Sequence, residues 1–167
     1  MIRVLYALLC FLFLSLSSCS SDNAVPDDKD EEMEDPVINK LPLIAIATNG
    51  NEIVDEPKSD ATFTISKADV ISYEGNMGIE IRGASSQFFP KKSFGFETRD
   101  AANEDLDVSL LDFPEEEDWI LYAPYSDKSL MLNMIVYDLS RDMQRYVCRT
   151  QFVEVSINGI NQEVYVL

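Results

Sequence analysis

The stretch Ile79–Ala101, IEIRGASSQFFPKKSFGFETRDA, has the pattern of two strands joined by a polar turn. Ile79 and Ile81 alternate with polar residues, which is the period of a strand with one buried face. Small residues then interrupt the alternation, and Pro90 excludes a continuous helix. A second alternating run follows, with phenylalanines as its apolar members. We therefore predict a hairpin whose turn brings the intervening polar side chains together.

The polar turn combines cations and hydroxyls in a chain that is otherwise acidic. The whole chain has 30 acidic and 13 basic residues and a formal net charge of −17. Small residues let backbone N–H groups approach a ligand, hydroxyls donate hydrogen bonds and cations neutralise charge, so the turn suits an anion such as phosphate. The alternative is an exposed hairpin whose lysines keep an edge strand soluble. The candidate anion-binding residues are Arg82, Ser85, Ser86, Lys91 and Lys92.

The sequence from residue 41 to residue 167 predicts one α+β domain. Short alternating or apolar runs separated by turn residues indicate an antiparallel β meander, a sheet type with one packed face and one wet face. The stretch from Ser126 to about Arg145 indicates one main helix, with Ser126 or Asp127 as N-cap and Arg141 near the end that favours cations. The other predicted elements are strands over 41–48, 61–67, 119–123, 152–157 and 163–167, and turns at 73–76 and 158–161.

The chain contains no histidine, and this removes several classes of enzyme. Without histidine there is no Ser-His-Asp triad, no Cys-His pair and no histidine-based metal site. The acidic run Pro114–Asp118 is predicted to be a solvated turn, because the sequence does not place two of its carboxylates face to face. We therefore assign no catalytic residue and no metal ligand from the residues themselves.

Residues 1–18 have the composition of a bacterial lipoprotein signal peptide. Arg3 precedes a short apolar run, Val4–Leu16, which is too short to span a membrane comfortably. The run leads into Leu16-Ser17-Ser18-Cys19, which resembles a lipobox. We expect cleavage before Cys19 and a diacylglyceryl lipid on its thiol, since each buried CH2 of an acyl chain contributes about 0.8 kcal/mol to membrane binding. The alternative is an ordinary secretory signal in which Cys19 is incidental.

Residues 19–40 are predicted to form an acidic, disordered tether. They contain few apolar residues, so they cannot bury enough surface to fold, and their like charges extend them. Acidic residues soon after a lipidated cysteine resemble the surface-export signals of Bacteroidetes-type lipoproteins; the alternative is a generic linker. We expect a protein of the bacterial cell envelope, lipid-anchored in the outer membrane and exposed at the surface. Nucleic acid is not an expected partner, because its phosphates repel a strongly acidic chain.

Six segments of the chain, in order, match one known family. They are LPLIAIATNG (41–50), DEPK (55–58), GIEIRGASSQFFPKKSFGFETRDA (78–101), LLDFPEEEDWILYAPYSDK (110–128), YDLSRDM (137–143) and RTQFVEVSINGINQEVYVL (149–167). In these segments the chain resembles the CotH family, the spore-coat-protein-H type of atypical protein kinase. The likeness covers nearly everything after residue 41.

The resemblance implies a reduced, atypical kinase fold. Such proteins use ATP and a divalent cation such as Mg2+ to phosphorylate serine or threonine on protein partners, here a surface protein. By position, Arg82, Ser85, Ser86, Lys91 and Lys92 look like the group that binds the nucleotide phosphates. Their task would be to neutralise and position those phosphates.

The resemblance also places residues beyond the hairpin. The helix after the meander resembles the helix of a kinase N-lobe, which offers an acid to the phosphate-binding lysine, and Asp127 or Asp138 is the candidate. The catalytic and metal-binding acids of the family lie beyond the equivalent of Leu167. We therefore expect residues 41–167 to be the N-terminal part of a truncated domain, not competent as a kinase alone. Two departures are Leu132, where the family usually has arginine, and Glu163, where it usually has glycine.

A second hypothesis belongs to another functional class. The chain would be a non-catalytic surface module, lipid-anchored and rich in β-structure, that recognises a protein or a glycan. A kinase-type domain should bind ATP through the polar turn, whereas an adhesion module has no need of that group.

Overall fold

The fold is taken from a computed structural model that describes residues 40–167. The predicted signal peptide, the predicted lipid site Cys19 and the predicted tether up to residue 39 lie outside the described residues. Within the described range, the strands are β1 (Leu43–Ala47), β2 (Ser59–Lys67), β3 (Val70–Arg82), β4 (Ser93–Arg99), β5 (Asp118–Leu121), β6 (Phe152–Ile157) and β7 (Ile160–Val166). One α-helix, α1 (Leu132–Asp142), lies between β5 and β6, and a 3₁₀ turn (Ser85–Phe88) joins β3 to β4.

The seven strands form one mixed sheet in the order β5-β4-β3-β2-β1-β6-β7. Strands β1 to β5 pair consecutively and antiparallel, but β6 pairs with β1 in parallel. The sheet curls until its edges touch, because Tyr122 and Val166 exchange backbone hydrogen bonds of 2.8 and 3.0 Å. The predicted fold class, an antiparallel meander with one main helix resembling a kinase N-lobe, is therefore wrong. Alternation along a strand identifies its buried face but does not identify its neighbour in the sheet.

The core fills the inside of the curled sheet. Fully buried side chains come from both its antiparallel part and its parallel part, and they include Ile44, Phe63, Ile79, Phe96, Leu121, Val155 and Tyr165. The ring centroids of Phe63 and Phe96 are 5.7 Å apart in an edge-to-face arrangement, and Trp119 stacks at 6.4 Å from Phe96. Burial of each such side chain stabilises the fold by about 1.5–3 kcal/mol. Trp119, the single tryptophan of the chain, is thus a core residue.

The hairpin between β2 and β3 turns earlier than predicted. The turn lies at Ala68-Asp69, whose φ angles of 50° and 64° are those of a two-residue type I′ turn. The predicted turn at residues 73–76 lies inside β3. Gly75 is there because an added Cβ would lie 2.7 Å from the Tyr73 hydroxyl, and the ring of Tyr73 packs 5.2 Å from that of Phe63. Gly75 therefore leaves room for the Tyr73 ring two residues earlier on the same strand and does not mark a turn.

Helix α1 is shorter than predicted and does not bury its apolar side. It covers Leu132–Asp142 instead of Ser126 to about Arg145, and none of its residues is buried. The carboxylate of Asp127 accepts the backbone N–H groups of Ser129 at 2.9 Å and Leu132 at 2.8 Å, so it supports the first turn. The apolar stripe of α1 is about half exposed and consists of Leu132, Ile135, Val136 and Leu139.

Candidate functional site: a cavity between the hairpin and the helix

A cavity of about 920 Å³ lies between the β3–β4 hairpin, the end of β5, α1 and the segment that follows α1. The hairpin contributes Arg82 and Ser86 to its lining, and the β5 side contributes Trp119 and Tyr122. Cavities of 300–1,000 Å³ that combine aromatic walls with a few polar groups are typical of small-molecule sites. The size and the lining therefore make this cavity the leading candidate for a binding site.

Helix α1 turns its polar side toward this cavity. Asn133, Tyr137 and Arg141 line the cavity, and Arg145 lines it just beyond the helix. These four residues are spaced by four positions, which places them along one side of a helical segment. The apolar stripe consequently points away from the cavity, the opposite of the usual arrangement of an amphipathic helix.

Arginines dominate the charge of the cavity lining. Arg82, Arg141, Arg145 and Arg149 line it, together with two acids, Glu116 and Asp118. Arg141 pairs with Asp138 on its own helix. Within residues 40–167, the other three arginines make no ion pair and no side-chain hydrogen bond. The lining thus carries a positive excess in a chain whose net charge is −17.

The polar turn of the hairpin is held in place by its glycine. Gly83 has a φ of 112°, and an added Cβ would clash with the Ser86 hydroxyl. A residue with a side chain would therefore be strained at this φ and would also displace Ser86. Gln87 braces the same turn by donating from its amide to the Gly83 carbonyl and to Asp55, both at 2.7 Å.

Of the five predicted anion-binding residues, Arg82 and Ser86 line the cavity and Ser85, Lys91 and Lys92 do not. Ser85 is exposed in the 3₁₀ turn. The Lys92 ammonium donates to the carbonyls of Gln87 and Phe89, the latter at 2.8 Å, and so holds the turn closed.

The Lys91 ammonium points to β7 instead of the turn. It donates to the Val164 carbonyl at 2.8 Å, lies 4.6 Å from the centroid of the Tyr165 ring and is 3.7 Å from the Glu163 carboxylate. Partial burial lowers the pKa of Lys91, although Glu163 acts in the opposite direction. Burial also raises the pKa of Tyr165 to about 12, and its hydroxyl donates to the Lys92 carbonyl at 2.9 Å. Lys91 therefore connects the hairpin to β7, whereas the side chain of Lys92 braces the turn from within.

Comparison with protein families decides the relationship of this chain. A model of the CotH kinase protein family matches residues 79–167, just over half of the chain. The chain belongs to the CotH kinase family. The matched region contains every residue that lines the cavity. Membership points in general terms to the use of ATP and a metal ion. A search of curated proteins finds no match to the chain.

The two acids that the CotH resemblance suggested as lysine partners have other contacts. Asp127 supports the start of α1, and the hydrogen bond from the Ser129 hydroxyl, together with backbone N–H groups, lowers its pKa. Asp138 pairs with Arg141. Neither acid contacts Lys91 or Lys92 in the described residues.

The two departures from the CotH pattern have visible consequences. Leu132 is 59% exposed at the start of α1. Glu163 has a φ of 66°, the left-handed region that favours glycine, and it lies beside a register irregularity between β6 and β7. Its side chain is 83% exposed and faces Lys91.

Metal binding within the described range is a separate question from nucleotide binding. Among residues 40–167, no three histidine, cysteine, aspartate or glutamate side chains are grouped as metal ligands. The same range contains no helix with the length and apolarity of a membrane span.

Sequence reasoning did not anticipate two polar groups of this CotH domain. The first is the helix-side arginine group of the cavity, for which the four-residue spacing from Asn133 to Arg145 was an available signal. The second is an ion-pair network on the outer face of the sheet. There Lys58 bonds to Glu97 and lies 3.5 Å from Asp118, while Arg99 bonds to Glu97 and lies 2.6 Å from Asp60.

Glu97 is the centre of the outer network, because it receives hydrogen bonds from two cations. Its side chain is 16% exposed, and those of Lys58 and Arg99 are 22% and 13% exposed. Partial burial opposes ionisation of Glu97, but the hydrogen bonds from Lys58 and Arg99 outweigh it and lower its pKa. Burial likewise opposes the charge of Lys58, and the contacts with Glu97 outweigh it and raise the pKa of Lys58. We interpret this network as structural, since it ties three regions of the sheet together.

Proposed function

We propose that this protein is a lipid-anchored protein of the bacterial cell envelope whose CotH domain takes part in ATP-dependent phosphorylation of serine or threonine on surface proteins. The observation that carries the proposal is the family match over residues 79–167, which contains a cavity lined by arginines. In this proposal the described residues contribute phosphate contacts. They are not proposed to form a competent kinase by themselves.

The proposed chemistry at the hairpin is electrostatic. ATP, when bound, supplies the transferable phosphoryl group. Phosphoryl transfer depends mostly on positioning and on neutralising the charge of the phosphate oxygens. The Arg82 guanidinium presents a planar fork of donors to such oxygens, and the Ser86 hydroxyl donates one further hydrogen bond. Gly83 supports both by holding the turn in its left-handed conformation.

Ser85, Lys91 and Lys92 remain predictions within this proposal. For either lysine to contact a phosphate, its ammonium would have to exchange its present carbonyl partners for phosphate oxygens. Such an exchange is chemically reasonable, because a phosphate oxygen carries more negative charge than a backbone carbonyl and is the stronger partner for an ammonium group. Variants of the lysines are therefore expected to affect both the stability of the hairpin and ATP binding.

The test of nucleotide binding uses the full chain in detergent and titration calorimetry with ATP. Replacement of Arg82 by alanine should weaken ATP binding about tenfold, the effect of losing one charge-assisted contact. Lys67→Ala is the matched control, because Lys67 is exposed and its replacement removes the same charge outside the cavity. If the unmodified chain does not bind ATP, or if Lys67→Ala has the same effect as Arg82→Ala, the assignment of the phosphate site is wrong.

The proposed membrane attachment is tested independently of the cavity. Metabolic labelling with a radioactive fatty acid should label the unmodified chain and fail to label Cys19→Ser. Protease treatment of intact cells should digest the CotH domain if it is exposed at the surface. Labelling of the Cys19→Ser variant would contradict the lipoprotein assignment, and protection from protease would contradict surface exposure.

The alternative function is a non-catalytic module that recognises a protein or a glycan. The observation that favours it is the exposed apolar stripe of α1. Exposed aromatic and apolar patches are typical of recognition surfaces. This alternative is favoured over the kinase if ATP does not bind and if binding to envelope extracts depends on Leu132 and Leu139 but not on Arg82.

A further inference from the structure

Five arginines occur in the described part of the chain, and their distribution is uneven. Arg99 belongs to the ion-pair network of the sheet, and the other four line the cavity. Acidic residues outnumber basic ones by 30 to 13 in the whole chain, so partners for a guanidinium are plentiful. Even so, the three arginines without an ion pair in residues 40–167 all line this one cavity. Their convergence indicates an anionic ligand that is not supplied by these residues.

The orientation of α1 supports a polar ligand in the cavity. An amphipathic helix next to a sheet normally buries its apolar side, because burial of apolar surface is the main favourable contribution to packing. Here Asn133, Tyr137 and Arg141 line the cavity and the apolar stripe is exposed. A polar ligand in the cavity would supply hydrogen-bond partners for these three side chains.

Thr150 supplies an independent observation. Its hydroxyl is buried, has no hydrogen-bond partner among the described residues, and belongs to a residue that lines the same cavity. A buried hydroxyl without a partner is unfavourable, because it has given up its hydrogen bonds to water without replacing them. Thr150 follows Arg149 directly in sequence, so an unpartnered donor and an arginine without an ion pair come from the same part of the lining.

We propose that Arg145 and Arg149 form a helix-side subsite that binds a polyphosphate group, with Arg82 on the opposite side of the cavity. The proposal rests on the phosphate chemistry of the proposed function, but it adds residues that the resemblance did not suggest. A guanidinium binds phosphate oxygens in a bidentate manner, and three of them match the several charged oxygens of a di- or triphosphate better than a single carboxylate. The polyphosphate group belongs either to a nucleotide or to an inorganic polyphosphate. The aromatic side chains of Trp119, Tyr122 and Tyr137 line the same cavity and offer stacking surfaces for a base.

The experiment uses the full chain in detergent and titration calorimetry with inorganic tripolyphosphate, ATP and adenosine. The test variant is Arg145→Gln with Arg149→Gln. The control is Lys67→Gln with Lys128→Gln, which makes the same change in net charge at two exposed lysines. All four positions are exposed, and circular dichroism should show the same folded state for both double variants.

We expect the arginine pair variant to bind tripolyphosphate about 100-fold more weakly, from roughly tenfold for each lost contact, and the lysine pair variant to stay within about threefold of the unmodified chain. No binding of tripolyphosphate to the unmodified chain, or equal losses in both variants, would overturn the subsite. If tripolyphosphate binds through Arg145 and Arg149 but adenosine does not bind and ATP is no tighter, the subsite stands and the proposed kinase function loses its nucleotide.

Discussion

The outer ion-pair network makes a quantitative prediction about Glu97. Replacing Glu97 by glutamine removes the charge that Lys58 and Arg99 share while nearly preserving the shape of the side chain. Each charge-assisted hydrogen bond contributes about 1.5–3 kcal/mol, and breaking a buried ion pair costs about 3–5 kcal/mol. These side chains are 13–22% exposed and not fully buried, so solvent weakens the effect. We expect Glu97→Gln to lower the free energy of unfolding by about 2–3 kcal/mol at pH 7.

The same variant should respond to pH in a defined direction. The folded state lowers the pKa of Glu97 below its ordinary value of 4.5. The stabilisation by Glu97 is therefore fully present above the pKa of the unfolded chain, and it is lost as the pH falls through the lowered pKa of the folded state. Consequently, the difference between the unmodified chain and Glu97→Gln should shrink as the pH falls below about 4.5.

Urea denaturation of the full chain between pH 3 and pH 8, followed by tryptophan fluorescence, measures this difference, since the reporter Trp119 is buried next to the network. The control is Glu74→Gln on β3, which is exposed and makes no ion pair in the described residues. We expect the control to change stability by less than about 0.5 kcal/mol. A loss for Glu97→Gln that is no larger than that of the control, or that does not change with pH, would refute the structural role of the network.

Three further substitutions test the hairpin and its contact with β7, each by urea denaturation. Gly83→Ala should destabilise the chain by about 1–2 kcal/mol and weaken ATP binding, because alanine is strained at a φ of 112° and its Cβ displaces Ser86; unchanged binding would separate the turn from the site. Tyr165→Phe should cost about 1 kcal/mol by removing the hydrogen bond to the Lys92 carbonyl, and a neutral result would mean that this bond does not hold the hairpin. Glu163→Gly should be stabilising by up to about 1 kcal/mol, whereas Glu163→Ala, which keeps a Cβ at a φ of 66°, should show no such gain.

Local patterns predicted the individual strands and the family of this chain. The alternation on each side of the polar turn predicted the β3–β4 hairpin, and Asn158-Gly159 predicted the tight turn between β6 and β7, where both residues have positive φ. These features depend on neighbours in sequence, since side-chain alternation and turn conformation are local properties. The order and wording of the six sequence segments also indicated the CotH family, and the family match confirms it.

Long-range pairing decided what the sequence left open. The parallel pairing of β1 with β6 joins residues more than one hundred positions apart, and it converts the predicted meander into a mixed sheet. Gly75 shows the same limit at short range, because its role is to leave room for Tyr73 and not to turn the chain. A glycine in the sequence is compatible with a turn and also with close packing against a neighbouring ring. Only the packed neighbours show which of the two applies.

The predicted anion site was likewise determined partly by the sequence and partly by the tertiary structure. Residue chemistry by itself identified a cationic turn in an acidic chain, because charge and hydroxyl content are properties of composition. The tertiary structure decided which of those cations are available: Arg82 and Ser86 line a cavity, while the ammonium groups of Lys91 and Lys92 bind backbone carbonyls. It also brought Arg145 and Arg149, which follow α1 in sequence, to that cavity. The direction in which a helix presents its side chains depends on how the whole chain folds. Only the tertiary structure therefore shows that α1 presents its polar side to the cavity.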